Sequence, residues 1–311
     1  MYLVKNMSFT SDIKKEMVSY SADDTEIIAE LSGAFNISGV FENGCISIVN
    51  ENENVIKRLY NLIVNKYHVN VIFEKDIYNS LRKKMLTRMI INEKVDLILE
   101  DLCLYDKNLR KFIPYEYIVD TDKEKQAYLR GVFLLCGSIN DPKTSRYSLG
   151  FVIINKDTAD FVCKLLNDLG FNAKVLKRSK NYMVYVKESE QISDFIKMLP
   201  AMNSLFYYED IRIYRDLQNM VNRINNCEQA NADKVINASF EQLEMIKLLK
   251  ERVDFDLLDE GIKDVCVYRE KYPDVSTREL AEIISYETDK SISKSGINHR
   301  FRKIKKILEN N

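Results

Sequence analysis

The 311-residue chain has no tryptophan, four prolines, two histidines and nine glycines, where average usage would give roughly 7% glycine, or about twenty. Each shortage excludes something. With only His68 and His299, a histidine-built metal centre or catalytic triad has almost no material. The six cysteines, Cys45, Cys103, Cys136, Cys163, Cys227 and Cys266, are scattered and form no Cys-x-x-Cys pair. That spacing speaks against a zinc site or a disulfide framework and suits a reducing cytoplasm. No run approaches the roughly twenty apolar residues of a membrane span, and Met1 to Asp12 lacks the apolar core of a signal peptide. Net charge is missing too: 46 Lys and Arg stand against 47 Asp and Glu, a formal −1. A uniformly basic coat is excluded, so any nucleic-acid surface is local. The remainder, 46% hydrophobic and 30% charged, is a globular composition long enough for two ordinary domains or three small ones.

Scarce glycines make useful landmarks. Leu31-Ser32-Gly33-Ala34-Phe35-Asn36-Ile37-Ser38-Gly39 and Leu129-Arg130-Gly131-Val132-Phe133-Leu134-Leu135-Cys136-Gly137 both fit L-x-G-x-F-x-x-x-G, 98 residues apart. Each comes after a helix-like lead, Asp24 to Glu30 and Lys123 to Tyr128. A glycine inside a helix costs up to ~1 kcal/mol relative to alanine, a cost accepted where two helix backbones approach closely. Gly33 and Gly131 are therefore expected at a helix crossing, and Gly39 and Gly137 as left-handed C-caps. The downstream patterns also match. After Gly39 come a strand (Cys45 to Val49), a helix carrying Val55, Leu59, Leu62 and Ile63, strands at Val69 to Phe73 and near Lys83 to Ile91, and a helix from Lys94 to Leu102. After Gly137 come a strand (Tyr147 to Ile154), a helix carrying Ala159, Val162 and Leu166 and capped by Gly170, strands at Ala173 to Leu176 and Tyr182 to Val186, and a helix from Gln191 to Leu199. The fold class is thus α+β: a pseudo-twofold α-β-α-β-β-α repeat, with copies at 22–110 and 111–204 behind an N-terminal segment 1–21.

The last third is all α. A helical connector, 205–231, holds an Asp210 to Arg223 helix and an amide-rich stretch that reads as a capped turn. The final domain, 232–311, begins with a helix from Ser239 to Arg252. Ser276-Thr277-Arg278-Glu279 is a capping box opening a short helix. After a loop at Ser285 to Ile292, Ser293 caps the last helix, in which Ile297, Phe301, Ile304 and Leu308 share one face. From Lys290 to Leu308 there are seven Lys and Arg and no acid, a local reversal of charge in a neutral chain. A basic helix closing a three-helix unit is the helix-turn-helix arrangement, here about 275–308, whose second helix enters the major groove of double-stranded DNA. Ser295, Asn298, His299 and Arg302 are placed to reach base edges, and Lys294, Lys303 and Lys306 to meet phosphates; Arg300 belongs to the same basic helix. A second DNA or partner surface is offered by Arg82, Lys83, Lys84 and Arg88 in one repeat and by Lys174, Lys177, Arg178 and Lys180 in the other.

The glycine helices and the elements downstream of them resemble the LAGLIDADG homing-endonuclease fold. In that family an acid at the eighth motif position holds a divalent metal; here Ser38 and Cys136 stand there, and Asn36 and Leu134 at the sixth position supply no acid either. Leu129 to Pro142, the connector Val221-Asn222-Arg223-Ile224-Asn225-Asn226-Cys227-Glu228-Gln229-Ala230-Asn231 and the segment Ser293 to Ile304 are together similar to the WhiA family. The resemblance implies a degenerate LAGLIDADG-like domain tethered to a helix-turn-helix domain. It further implies a non-enzymatic, cytoplasmic and nucleoid-associated transcription regulator of sporulation, or of cell division and chromosome segregation. No cofactor, metal, membrane or small-molecule substrate is expected. The alternatives are a metal-dependent DNA endonuclease and a docking module that recruits a transcription-machinery protein.

Overall fold

The computed structural model describes residues 8–79, 84–106, 109–144 and 146–310. Helix α1 (Phe9–Glu16) leads to the first repeat: α2 (Asp24–Ser38), β1 (Val40–Glu42), β2 (Cys45–Asn50), α3 (Glu53–Tyr67), β3 (Val71–Asn79), β4 (Lys84–Ile91) and α4 (Val95–Asp101). A small hairpin, β5 (Tyr105–Asp106) and β6 (Leu109–Arg110), precedes the second repeat. That repeat consists of α5 (Asp122–Cys136), β7 (Gly137–Ile139), β8 (Leu149–Ile153), α6 (Lys156–Asp168), β9 (Lys174–Arg178), β10 (Asn181–Val186) and α7 (Ser189–Met198). The remainder is α8 (Met202–Arg252), α9 (Glu260–Lys271), α10 (Thr277–Thr288) and α11 (Lys294–Asn310). The chain divides into two compact units, 1–215 and 216–311.

In the first unit the twofold is plain in the sheets. Both are antiparallel and four-stranded, in the orders β1-β2-β4-β3 and β7-β8-β10-β9. Alternate residues of each, such as Ile46 and Ile48 or Val184 and Val186, turn into one continuous core, as the period of two requires. Each repeat carries one strand more than α-β-α-β-β-α, and the glycines at the helix ends explain it. Gly39 (φ −67°, ψ 131°) and Gly137 (φ −80°, ψ 146°) are extended rather than left-handed. Instead of capping, they carry each helix straight into β1 and β7. Gly170, by contrast, is left-handed at φ 88°, the conformation its place after α6 implies.

Helices α2 and α5 cross where Gly33 and Gly131 lie. A Cβ at Gly33 would overlap the Tyr128 carbonyl oxygen, and one at Gly131 the Glu30 carbonyl oxygen; close backbone approach is therefore what the two glycines provide. A reciprocal capping box, Thr121 with Glu124, starts α5. Flanking the crossing is a buried ionic network that the motif did not announce. Glu30, fully buried, accepts from Arg58 Nε and Nη2 at 2.9 Å each and from Arg130 Nε at 3.3 Å. Arg130 also reaches Glu26 at 3.3 Å, and the Tyr20 ring lies against both guanidinium groups. Two guanidinium groups are thus balanced by two carboxylates, Glu30 and Glu26, out of water, which an isolated buried charge could not achieve.

The amide-rich connector is not a turn. It lies inside α8, which runs unbroken from Met202 to Arg252 through both domain boundaries drawn at 204 and 231. Good helix formers without proline or glycine permit this, and the Asn residues point outward: no residue from Asp216 to Lys234 is buried. Glu16 anchors the start of α8 by accepting from the backbone N–H groups of Asn203 (2.8 Å) and Ser204 (2.9 Å). In the second unit, Ile246, Leu249, Ile262, Val265, Leu280, Ile284, Ile297, Phe301 and Ile304 form a separate core.

Candidate nucleic-acid interface

The basic helix is held by interactions within the second unit. Ser276 and Glu279 form the reciprocal capping box of α10. That helix continues to Thr288, and Asp289 (φ 50°) turns the chain left-handed. The connection is therefore 289–293, shorter than Ser285 to Ile292, because Ser285 remains helical while its hydroxyl binds both backbone groups of Ile292. Ser293 Oγ accepts from Gly296 N at 3.2 Å and starts α11. Beneath, Arg269 is 1% exposed; it donates to Gln242 Oε1 (2.9 Å) of α8 and to the Val275 carbonyl (2.7 Å) before α10. This clamp fixes α10 to the end of α8. Its arginine is invisible in a charge count because it looks like surface.

Ile297, Phe301 and Ile304 are buried and Leu308 is half-buried, so the apolar stripe of α11 packs as its spacing implies. Lys294, Ser295, His299, Arg302, Lys303 and Lys306 are exposed, and Asn298 is half-buried at the edge of that face. Arg300 leaves the group: its guanidinium lies 3.0–3.1 Å from where a Cβ on Gly261 of α9 would stand. Gly261 thus has no side chain for a local reason, the passage of Arg300 over the backbone. Lys290 pairs with Asp264 at 2.9 Å, a hydrogen bond that raises the lysine pKa. What remains exposed on α11 is a cationic ridge with hydroxyl, imidazole and amide groups near its start, matching the chemistry of phosphates and base edges.

In the first unit, the ends of α2 and α5 open into a cleft of about 1730 Å³ lined by Lys14, Asn36, Ser38, Arg110, Cys136 and Thr158, among others. The two positions where a nuclease of this fold would carry metal-binding acids face it with a hydroxyl and a thiol. Desolvation pushes the Cys136 thiol up to about 12, so it stays protonated. Lys14 of α1 sits 5.4 Å from the Phe133 ring centroid; burial brings its pKa down to about 8, against the pull of Cys136 and Glu51. A lysine beside a neutral thiol does not fit a divalent cation, and no group of three His, Cys, Asp or Glu among the described residues could hold one.

The basic residues on the sheets separate by register. Lys174 and Arg178 stand on one face of β9 and Lys177 on the other, while Lys180 lies in the turn to β10; all four are exposed. In the first repeat Arg88 pairs with Glu74 at 3.0 Å. Arg82 and Lys83 lie outside the described residues, and Lys84 opens β4. No described helix is long and apolar enough to cross a membrane.

Two family models match the chain: the WhiA LAGLIDADG-like domain over residues 125–218 and the WhiA C-terminal HTH domain over residues 221–308. Among curated relatives, "Probable cell division protein WhiA" of Bacillus licheniformis is 39% identical, over 97% of this chain and 96% of its own. The protein of the same name from Bacillus subtilis is 38% identical with the same coverage. Among solved structures, full-length DUF199/WhiA from Thermatoga maritima aligns over 98% of this chain and 99% of its own, with a TM-score of 0.59 at 23% identity. The N-terminal LAGLIDADG domain of DUF199/WhiA aligns over 64% of this chain and 93% of its own, with a TM-score of 0.50. With the doubled sheet order, the glycine crossing and the terminal helix-turn-helix in one chain, this protein belongs to the WhiA family.

Proposed function

We propose that the protein is a transcription regulator that binds double-stranded DNA through the exposed face of α11 and does not cut it. The observation that carries the reading is the ridge itself: Lys294, Arg302, Lys303 and Lys306 stand exposed on a helix with no acid from Lys290 to Leu308. Each phosphate contact releases condensed counterions, so affinity falls steeply with salt. Ser295, Asn298, His299 and Arg302 supply the base-edge contacts, and Lys294, Lys303 and Lys306 position the helix on the backbone. Arg300 acts indirectly, by seating α11 on α9. The test is selection from a random-sequence duplex pool, then titration at several salt concentrations. Enrichment of one sequence and a steep salt slope are expected; sequence-independent binding refutes the specific reading.

The LAGLIDADG-like unit serves as a scaffold. Ser38, Cys136 and Lys14 support the absence of nuclease activity, and incubation with plasmid and Mg²⁺ tests it, since cleavage refutes it. Lys174, Arg178 and Lys180 give this unit a secondary DNA or partner surface. Changing all three to serine in the full chain lowers non-specific DNA affinity if they meet phosphates, and leaves it unchanged if they face a transcription-machinery protein. The relatives' name supports a role in cell division, and the family likeness extends it to sporulation and chromosome segregation, exercised at the nucleoid in the cytoplasm. Genome-wide mapping of bound sites tests that role through the genes it returns.

A further inference from the structure

Three polar groups that line the cleft of the first unit lack the partners such groups ordinarily have. Asn36 is 6% exposed. Its amide nitrogen donates to the Phe112 carbonyl at 3.0 Å and to the Tyr128 hydroxyl at 3.1 Å, but its Oδ1 accepts from no described group. Buried amide oxygens are nearly always hydrogen-bonded, so this one calls for a donor from the cleft. Lys14 packs on the Phe133 ring and makes no hydrogen bond or ion pair among the described residues. Arg110 has no described carboxylate either. Its guanidinium lies 5.3 and 5.5 Å from the Phe41 and Phe112 ring centroids and donates, at 3.4 Å, to the carbonyls of Asn36 and Gly39. The three form one cluster: Arg110 reaches the Asn36 backbone, Asn36 holds Tyr128, and Cys136 acts on the titration of both Tyr128 and Lys14. Met85, Val152 and Ile154, 50%, 46% and 77% exposed, line the same cleft with apolar surface.

We propose that this cleft binds a nucleotide, its phosphate held by Lys14 and Arg110, a ribose hydroxyl or base N–H donating to Asn36 Oδ1, and its base lying on the apolar lining. Each part answers a different group. A simple anion would satisfy the two cations and leave Oδ1 without a donor. A duplex backbone fails likewise, because a phosphodiester has no proton to donate, and Met85, Val152 and Ile154 offer its further phosphates nothing. Glu51 and Glu53 also line the cleft but stand exposed to water, so their repulsion is screened. Lys14 is desolvated, and an ion pair made there is screened far less.

Isothermal titration of the full chain with each of the four ribonucleoside monophosphates tests the site. At least one should bind with a dissociation constant between about 10 µM and 1 mM, the range open to a ligand of that size. No binding at about 10 mM overturns the proposal; so does a nucleoside that binds as tightly as its monophosphate. Lys14→Met and Arg110→Gln should each weaken binding at least ten-fold, although Lys14→Met melts higher than the wild type. Unchanged affinity in either variant overturns the two-cation anchor. Between about pH 7.5 and 9.5 the phosphate is a dianion throughout. Cys136 of α5 and Glu51 after β2 are the titratable groups acting on Lys14, and the thiol keeps its proton up to about 12. Affinity should therefore fall above a pH of about 8, as the free Lys14 loses its proton, and the fall should vanish in Lys14→Met; a wild-type affinity independent of pH overturns the role of Lys14. Without nucleotide, Lys14→Met should bind duplex DNA as the wild type does. A loss there, with no nucleotide bound, puts a DNA phosphate in the cleft and overturns the small-ligand reading, while the assignment of α11 stands on its own test.

Discussion

Two arginines two residues apart on α11 separate the roles of its side chains. Arg302 is exposed and makes no ion pair or hydrogen bond among the described residues; Arg300 is half-buried over Gly261. Truncating Arg302 to alanine removes nothing the folded unit relies on, so stability changes within the small range of surface substitutions, about ±0.5 kcal/mol. On selected duplex it loses a bidentate base contact, worth ~1–3 kcal/mol, or about ten- to a hundred-fold in affinity. Arg300→Ala does the reverse: it destabilises the unit by about 1 kcal/mol through lost packing and costs less than Arg302→Ala in specific affinity. Fluorescence anisotropy on selected and scrambled duplexes, beside thermal melts, reads both quantities. Equal affinity losses from the two variants, or none from Arg302→Ala, refute the division of labour.

Four other perturbations test the remaining structure. Lys306→Ala should reduce the salt slope of binding by about one for every duplex, as loss of one phosphate contact requires; an unchanged slope removes Lys306 from the interface. Glu30→Ala leaves Arg58 and Arg130 buried without their shared carboxylate and should destabilise the first unit by about 3–5 kcal/mol, measured by urea titration. Gly131→Ala drives a methyl into the Glu30 carbonyl and should cost about 3 kcal/mol; a neutral result would show that the α2–α5 crossing opens freely. Lys14 has a folded-state pKa of about 8 against an ordinary 10.5, so between those values the unfolded chain binds more protons. The penalty of its buried charge is fully present below pH 8 and is relieved as pH rises toward 10.5. Lys14→Met should therefore be more stable than the wild type at pH 7 by about 3 kcal/mol at most, with the gap narrowing above pH 8. A gap independent of pH refutes the burial argument.

The repeat was legible because close helix approach admits only the smallest residue, so Gly33 and Gly131 had to be where they are. The roles of Gly39 and Gly137 were misread for a related reason: glycine accepts extended and left-handed backbone alike, and only the strand beyond it decides between them. The apolar face of α11 was readable from spacing alone, whereas the departure of Arg300 depended on Gly261, thirty-nine residues earlier. Arg58, Arg130 and Arg269 could not be told from surface arginines, since their partners Glu30 and Gln242 are distant in sequence. The connector misled most. Asn-rich composition suggests turns because the side-chain amide competes for backbone groups, yet on an exposed helix those amides meet water and the competition is lost.

The ends of α2 and α5 carry Ser38 and Cys136 where a metal-dependent nuclease of this fold would carry acids. With no acid at either position there is no charge there to hold a metal, and a wide cleft remains at the twofold. Here α1 comes in beside it, carrying Lys14 to Cys136 and hydrogen-bonding β7 through Thr10, whose hydroxyl donates to the Ile139 carbonyl and accepts from its N–H, at 2.9 Å each. A fixed ammonium therefore stands near the place where an exchangeable cation would act. Unlike a metal, it generates no hydroxide nucleophile at neutral pH, and its desolvation cost falls on the fold rather than on a ligand. With Lys14 in place, a single acid introduced at the end of either helix is neutralised by the ammonium before it can serve a metal. Cys136→Asp would pair with Lys14 as an internal salt bridge before it held Mg²⁺. The single variant should show no DNA cleavage, and Mg²⁺ should not raise its melting temperature; either effect would mean that Lys14 does not control the site.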